Sequence, residues 1–246
     1  QNDIYVFLPD TNYQRLIDHP ESLENLEEIW TVVRTLVRHV SNQWKKPDAG
    51  IWEIRGAKKH FVFSKVLCWV AIDRAIKIAE FLGQTHSIDD WIALREAIYT
   101  QVMTKGWNEE IQSFTQAYGD THMDAYNLLM EHYGMNDPLD PKYIGTVNRC
   151  YKELCNKGFM YRYKNIEEFR ETHSAFNYCT FWMIKSLHRI CKTELAAKMF
   201  ADVIQHTNHL GLLSEDMEFK SRRLLGNFPQ GYSHLALIDT ALALSE

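Results

Sequence analysis

The sequence predicts an all-α protein that folds as a single domain of antiparallel helix pairs. Apolar residues recur at helical spacing along most of the 246 residues, and 46% of the chain is hydrophobic, enough for a sizeable core. No segment has the composition of a linker between domains, and no fixed-period repeat of the solenoid kind occurs. Such helix pairs can close into a ring around a central cleft or form an open array, and the periodicity is compatible with both.

Two long helices are predicted before residue 83. Between residues 23 and 40, apolar side chains follow i, i+3, i+4 and i+7 spacing, while charged side chains occupy the other face. Pro20 precedes this helix and Pro47 follows it, as expected for prolines that lie outside a helix. A second helix is predicted over residues 61–82 from the same apolar spacing. Gly83 stands just past its end, where glycine is favoured.

The rest of the chain continues the helical pattern after one interruption. Ser87 is a candidate N-cap for a third helix, which ends at Lys105. Residues 107–119 break the periodicity and predict an irregular loop or a short hairpin. Further helices are predicted at about 122–132, 140–156, 174–191, 193–209 and 230–245, which gives roughly eight or nine in all.

Composition and charge argue against several functions. The net charge of −5 does not suit a nucleic-acid binder, since phosphate contacts need a basic surface. No run of 18 apolar residues occurs, so no membrane span is expected. The cysteines are odd in number and form no CxxC pair, so we expect reduced core thiols, no metal site and a cytoplasmic location. They are Cys68, Cys150, Cys155, Cys179 and Cys191.

Common catalytic motifs are missing from the sequence. There is no G-x-S-x-G, P-loop, GxGxxG or HExxH. Serine-nucleophile, nucleotide and zinc-protease chemistry therefore have no support, and no cofactor is expected.

Glu53 is the first candidate for acid/base chemistry. It follows a turn-rich stretch and lies between Trp52 and Arg55. A carboxyl group packed on an indole loses solvation, which favours its protonated form and suits a general acid. A loop salt bridge to a basic residue is the alternative, and residue types alone favour that alternative.

Glu215 is the second candidate, in a cluster with Asp216 and Glu218. Neighbouring carboxylates repel each other, so at least one of the three is expected to keep its proton to higher pH. The alternative is an acidic, solvated helix cap, and for Glu215 taken alone it is the better interpretation.

Two further segments carry candidate polar contacts. Arg162 lies between two tyrosines, and its rigid fork of donors suits sugar hydroxyls. His234 can be a catalytic base or a structural histidine, and the structural role is favoured. Most of the aromatic residues at 176–182 are expected in a helix core.

A series of short segments extends along nearly the whole chain. It comprises QNDIY at 1–5, DAGIWEIRG at 48–56, HF at 60–61, SKV at 64–66, WVAIDRA at 69–75, FTQAYG at 114–119, DA at 124–125, YRY at 161–163, LLSE at 212–215, GNFPQ at 226–230 and SHLALI at 233–238. In this order, the series resembles glycoside hydrolase family 15, the glucoamylase-like and bacterial trehalase-like enzymes. No single segment is specific, but together they are.

The resemblance implies an (α/α)6 toroid and hydrolysis of α-glucosidic bonds with inversion. It implies that Glu53 is the general acid and that Glu215 is the general base that activates water. Substrate contacts are implied for Trp52, Arg55 and Arg162, with an α-glucoside disaccharide or oligosaccharide as the bound partner. Inversion needs one protonated and one ionised carboxyl, roughly 6.5–9.5 Å apart, so that water fits between them.

Two features depart from the family pattern. Residues 172–176 read Thr-His-Ser-Ala-Phe where bacterial relatives carry Gly-Glu-Gly-Ala-Phe, which puts a sugar contact there in question. The chain also begins where the family toroid is already partly complete. The resemblance therefore predicts that residues 1–246 are the C-terminal portion of a catalytic domain, with about nine of twelve helices and impaired activity on its own.

Two functions from different classes follow. The first is an inverting α-glucosidase of glucoamylase or trehalase type. The second is a non-catalytic helical binding or scaffold module that keeps the fold. A missing sector of the toroid would expose apolar helix faces, so homo-oligomers are also expected.

Overall fold

The computed structural model describes residues 4–19, 25–86, 88–164 and 173–245. The chain divides into two units, Gln1–Trp107 with Ala117–Gly119 and Asn108–Gln116 with Asp120–Glu246, called unit 1 and unit 2 below. Eight α-helices dominate the described residues, and seven strands of two or three residues accompany them. The fold is therefore helix-rich as predicted, but the all-α prediction missed the strands that follow residue 150.

Unit 1 is organised around a helix that is buried on almost every side. Helix α3 (Val62–Phe81) packs against the other three helices of the unit. Nearly all of its side chains are buried, which explains why its sequence is apolar all round rather than along one stripe. The helices are α1 (Ile4–Asp18), α2 (Leu26–Gln43), α3 (Val62–Phe81) and α4 (Ile88–Lys105).

The helices predicted over 23–40 and 61–82 are confirmed, with α2 shifted by about one turn. Helix α2 is amphipathic and buries Val33, Val37 and Val40. Pro20 and Ser87, the expected start signals of α2 and α4, lie outside the described residues.

A group of charged side chains joins α1, α3 and α4 inside unit 1. The carboxylate of the buried Asp73 accepts from Arg74 at 2.7 Å, and lies 2.8 Å from the Lys77 ammonium and 3.2 Å from the Arg95 guanidinium. Arg74 also donates to Asp10 of α1 at 2.8 Å. A buried carboxylate needs such partners, because removing one of them leaves an uncompensated charge.

Unit 2 is organised around α6 (Asn177–Arg189), which packs against the other three helices of the unit. The last predicted helices are confirmed with shorter bounds, since the one at 174–191 begins as a strand and the one at 193–209 ends earlier. The observed helices are α5 (Pro141–Leu154), α6 (Asn177–Arg189), α7 (Thr193–Ile204) and α8 (Gly231–Ser245).

The α-helix predicted at 122–132 is wrong, because the chain forms a 3-10 helix over Ala125–Leu129. The Asp124 carboxylate accepts from the Tyr126 amide and starts this turn. The carbonyl of Leu128 then accepts from the hydroxyls of Tyr143 and Ser186, at 2.8 and 3.3 Å. Tertiary partners therefore take a carbonyl that a longer helix would use within itself.

Short strands connect the helices. The hairpin expected within 107–119 is present as β1 (Trp107–Asn108) and β2 (Ser113–Phe114). In unit 2, β3 (Cys155–Asn156) pairs with β4 (Phe159–Met160). An antiparallel sheet joins β5 (Ser174–Phe176), β6 (Asp216–Glu218) and β7 (Leu224–Leu225), with Asp216 opposite both Phe176 and Leu225.

Three findings apply to the described residues alone. No helix among them combines the length and apolar character needed to cross a bilayer. They contain no group of three or more His, Cys, Asp or Glu side chains that could hold a metal ion. The five cysteines form no disulfide among the described residues, and Cys68, Cys150 and Cys179 are buried.

Candidate active site

Glu53 lies on a loop between α2 and α3 of unit 1. The base of the loop is closed by a backbone pair between Asp48 and Lys59, with N–O distances of 2.9 and 3.0 Å. Gly50 starts the turn at φ 71, and a Cβ there would lie 2.9 Å from Cδ2 of Phe61. A side chain at position 50 would therefore disturb the turn that carries Glu53.

The backbone of Glu53 itself has an uncommon conformation. Its φ is 53, and its amide donates to the Gly50 carbonyl at 3.1 Å. Left-handed backbone at a non-glycine residue costs roughly 1–2 kcal/mol, and such positions cluster at functional sites. This strain is the feature of unit 1 that most favours a function for Glu53.

The surroundings expected for Glu53 differ from those observed. Its side chain is exposed, so the desolvation expected from packing on Trp52 is not seen, although Trp52 itself is half-buried. Among the described residues Glu53 forms no ion pair, so the alternative of a loop salt bridge is not seen either. Arg55 is exposed on the same loop.

A buried lysine holds the start of this loop. The ammonium of Lys65 in α3 donates to the carbonyls of Trp44 and Lys46, each at 2.6 Å. The Lys65 side chain is fully buried. Burial lowers the pKa of Lys65, and the nearby Cys68 and Asp48 act in the opposite direction.

His60 and Tyr118 form a polar pair in unit 1 that the sequence analysis did not single out. Their rings stack at a centroid distance of 5.7 Å, and the Tyr118 amide donates to the His60 carbonyl at 3.0 Å. Burial lowers the pKa of His60, with help from Lys65 and Lys105 and against Asp48, and burial raises the pKa of Tyr118. Nδ1 of His60 and the Tyr118 hydroxyl are buried without a partner among the described residues.

Glu215 lies in unit 2, directly before β6. Its Oε2 accepts from both the amide and the Nδ2 of Asn227, at 3.2 and 2.9 Å. Gly226 has a φ of 75, and a Cβ there would lie 2.9 Å from Oε2. Glu215 is half-buried, so its carboxylate is both held and reachable.

Asp216 follows Glu215 but has a different environment. Burial raises the pKa of Asp216; the charge of Glu215 adds to this effect, whereas Arg162 and a hydrogen bond from Ser174 oppose it. One member of the acidic cluster therefore keeps its proton to higher pH as predicted, although burial rather than repulsion is the main cause. The helix-cap alternative is wrong, since residues 216–218 form strand β6.

Arg162 is placed close to the same cluster. Its exposed guanidinium lies over the ring of Phe176, 5.1 Å from the centroid, and its carbonyl accepts from the Ala125 amide at 2.9 Å. The charge of Arg162 acts on Asp216. Unit 2 thus brings Arg162, Asp216 and the segment of Glu215 together, while Phe181 and Trp182 are buried as expected of a helix core.

His234 has the structural role that was favoured. Its Nδ1 lies 2.7 Å from the Gln230 carbonyl, and its Nε2 accepts from the Leu213 amide at 3.2 Å. A neutral ring with its hydrogen on Nδ1 satisfies both bonds. His234 thereby ties α8 to the segment that carries Glu215.

Arg222 fixes the hairpin that follows Glu215. Its guanidinium lies 4.0 Å from the centroid of the Phe159 ring and donates to the Lys157 carbonyl at 3.0 Å. The hairpin β6–β7 is therefore attached to the hairpin β3–β4, after which the chain reaches Arg162. Neither Arg222 nor Asn227 was predicted from the sequence, although Asn227 belongs to the GNFPQ segment.

Each unit is thus built of helices around a central helix, and unit 2 brings the charge of Arg162 close to Asp216, the neighbour in sequence of the held Glu215. Residues 1–242 match the model of Glycosyl hydrolases family 15. The trehalase of Thermoplasma acidophilum is 36% identical over 219 residues, which is 89% of this chain and 38% of that protein. For the trehalase of Mycobacterium tuberculosis, identity is 35% over 98% of this chain and 35% of that protein. The chain belongs to glycosyl hydrolase family 15, and it spans well under half the length of these curated relatives.

Solved structures agree on the fold. A structure described as wild-type glycosidase matches this chain over its full length, with a TM-score of 0.80 at 16% identity, and the match covers 67% of the glycosidase chain. The glucoamylase from Saccharomycopsis fibuligera matches all of this chain and 70% of its own, with a TM-score of 0.79 at 11% identity. At such identities the likeness establishes the fold alone.

Proposed function

We propose that this chain is the C-terminal portion of an (α/α)6-toroid catalytic domain that hydrolyses α-glucosidic bonds with inversion. Family membership and the strained or held setting of each predicted carboxylate support the proposal. The substrate is an α-glucoside disaccharide or oligosaccharide, and the trehalase names of the curated relatives favour a disaccharide.

In the proposed reaction, the carboxylic acid of Glu53 donates its proton to the oxygen of the glycosidic bond as that bond breaks. The carboxylate of Glu215 takes a proton from water, whose oxygen attacks the anomeric carbon from the opposite face. Trp52, Arg55 and Arg162 bind the sugar. The exposed guanidinium of Arg162 offers donors for hydroxyl groups.

The proposal rests mainly on the hydrogen bonds that fix the carboxylate of Glu215. Two donors of Asn227 converge on its Oε2 and fix the direction of the carboxylate. A general base has to be fixed in direction and within reach of the proton that it takes. Asp216 is less suited to that role, because burial raises its pKa.

The test uses the intact protein that carries this sequence. Glu53→Gln and Glu215→Gln are each expected to remove nearly all hydrolysis of trehalose and maltose, measured as glucose released. Glu218→Gln is the control, because its carboxylate bonds to Ser221 outside the proposed machinery and should be dispensable. Turnover above about a tenth of wild type in either catalytic variant would contradict the assignment.

The 246-residue chain by itself is expected to have weak activity or none, since positioning of substrate supplies much of the rate. If the intact protein binds glucosides but does not cleave them, the alternative of a non-catalytic binding module is favoured. NMR of the first anomer released separates inversion from retention.

A further inference from the structure

One residue makes three hydrogen bonds with Glu215. Asn227 donates to Oε2 from its backbone amide at 3.2 Å and from its side chain at 2.9 Å. In return, the Glu215 amide donates to the Asn227 carbonyl at 2.9 Å. Both the backbone and the carboxylate of Glu215 are thus fixed by the same partner.

The backbone reaches the carboxylate because Gly226 has no side chain. A Cβ at this position would lie 2.9 Å from Oε2 and 3.1 Å from the Cβ of Glu215. Both distances are closer than carbon and oxygen atoms can approach without displacement. Any larger residue at 226 would therefore push Glu215 away from Asn227.

The loop that carries Asn227 is itself fixed to the segment before Glu215. The Gln230 amide donates to the Leu213 carbonyl at 3.0 Å, and the Ser233 hydroxyl donates to the Ser214 carbonyl at 2.8 Å. These bonds set the register of the loop independently of the Asn227 side chain. Asn227 can therefore be changed without removing the anchors around it.

The two oxygens of Glu215 have different surroundings. Both side-chain hydrogen bonds go to Oε2, and among the described residues none reaches Oε1. We infer that Asn227 is a positioning residue for the general base: it holds Oε2 and leaves Oε1 to take the proton of the attacking water. This inference rests on the proposed function.

Two substitutions at Asn227 separate positioning from a purely structural role. Asn227→Ala removes the Nδ2 donor, whereas Asn227→Asp keeps the shape but places a second carboxylate beside Oε2. Loss of one hydrogen bond to a charged group corresponds to roughly a 10- to 100-fold fall in kcat, with KM changed less than about threefold. The Asp variant is expected to be slower than the Ala variant. A residue that only shapes the loop would give the opposite order.

The experiment measures kcat and KM of the intact protein with trehalose or maltose and with α-glucosyl fluoride. Fluoride leaves without protonation, so Glu53→Gln should recover much of its activity on that substrate. The Asn227 variants should have a lowered kcat on α-glucosyl fluoride as well, because the attacking water still needs a general base. Gly226→Ala should show the same deficit by an independent route, and Asn42→Ala, on the surface of α2, should resemble wild type.

Two outcomes would overturn the inference. The first is a kcat for Asn227→Asp that equals or exceeds the kcat for Asn227→Ala. The second is a kcat of the Asn227 variants that equals the wild-type value when the substrate is α-glucosyl fluoride. In both, Glu215→Gln stays inactive, which leaves the proposed function standing. If Glu215→Gln hydrolyses the fluoride at the wild-type rate, the proposed function fails instead.

Discussion

Glu215 and Asp216 are neighbours in the chain, yet their carboxyl groups have different surroundings. Successive side chains of extended backbone point to opposite sides, so one carboxylate meets Asn227 and the other meets Ser174 near Arg162. The environment thus separates a held, reachable carboxylate from one whose pKa is raised by burial. The same logic assigns different roles to paired carboxylates in other acid/base sites.

Asp216→Asn is expected to weaken the pH dependence of stability. Because burial raises the pKa of Asp216 above 3.8, the folded state holds this proton to higher pH than the unfolded state does. Its contribution to stability therefore falls as pH rises from 3.8 through the folded pKa, and stays lower above it.

Urea unfolding between pH 4 and 7 measures this effect. Wild type should lose more unfolding free energy over that range than Asp216→Asn. Glu194→Gln, an exposed carboxyl on α7, is the control and should follow wild type. Equal slopes for Asp216→Asn and wild type would contradict the prediction.

At the scale of elements, the loop of Glu53 depends on α3. The Asp48–Lys59 backbone pair closes the loop, and Lys65 holds the two carbonyls that precede it. A charged side chain in the first turn of a buried helix destabilises unless its hydrogen-bonding capacity is used. Here it links the end of α2 to α3 at the base of the loop.

Lys65→Met is expected to destabilise the protein by about 1–3 kcal/mol, because the length of the side chain is kept while two carbonyls lose their donor. Hydrogen exchange at the amides of Asp48 and Lys59 should quicken, since the loop base loses its attachment. Lys198→Met, at an exposed position of α7, serves as control and should lie within about 0.5 kcal/mol of wild type. Unchanged stability and exchange in Lys65→Met would show that the ammonium does not hold the loop.

At the scale of the whole molecule, helix α8 carries an exposed apolar face. Tyr232, Leu235, Ile238 and Leu242 are each more than half exposed, and their spacing places them along one side of the helix. Large apolar patches on a surface favour association. Self-association through this face of unit 2 stays a prediction.

The isolated 246-residue chain is expected to form dimers or larger species in sedimentation velocity, and Leu235→Lys with Leu242→Lys should shift it toward monomer. Leu139→Lys removes a comparably exposed leucine away from α8 and should leave the distribution unchanged. A wild-type chain that sediments as a single monomer would contradict this prediction.

Local sequence determined the helices of this protein and the segments that identify its family. Helical hydrogen bonds join residues four apart, so the burial of α3 and the amphipathic pattern of α2 are visible in the order of residues. The segments that contain Glu53, Arg162 and Glu215 were recognisable by their order. The 3-10 helix was missed, because Tyr143 and Ser186 take the Leu128 carbonyl from distant parts of the chain.

Tertiary structure alone decided how the candidate site is held. Strands β5, β6 and β7 have two or three residues each, too short to show a period, and the pairing of β5 with β6 joins distant parts of the chain. The convergence of Asn227 on one oxygen of Glu215, and the burial that raises the pKa of Asp216, depend on that pairing and on the loop anchored to it. Sequence spacing does not indicate such contacts, because they depend on how the whole of unit 2 packs.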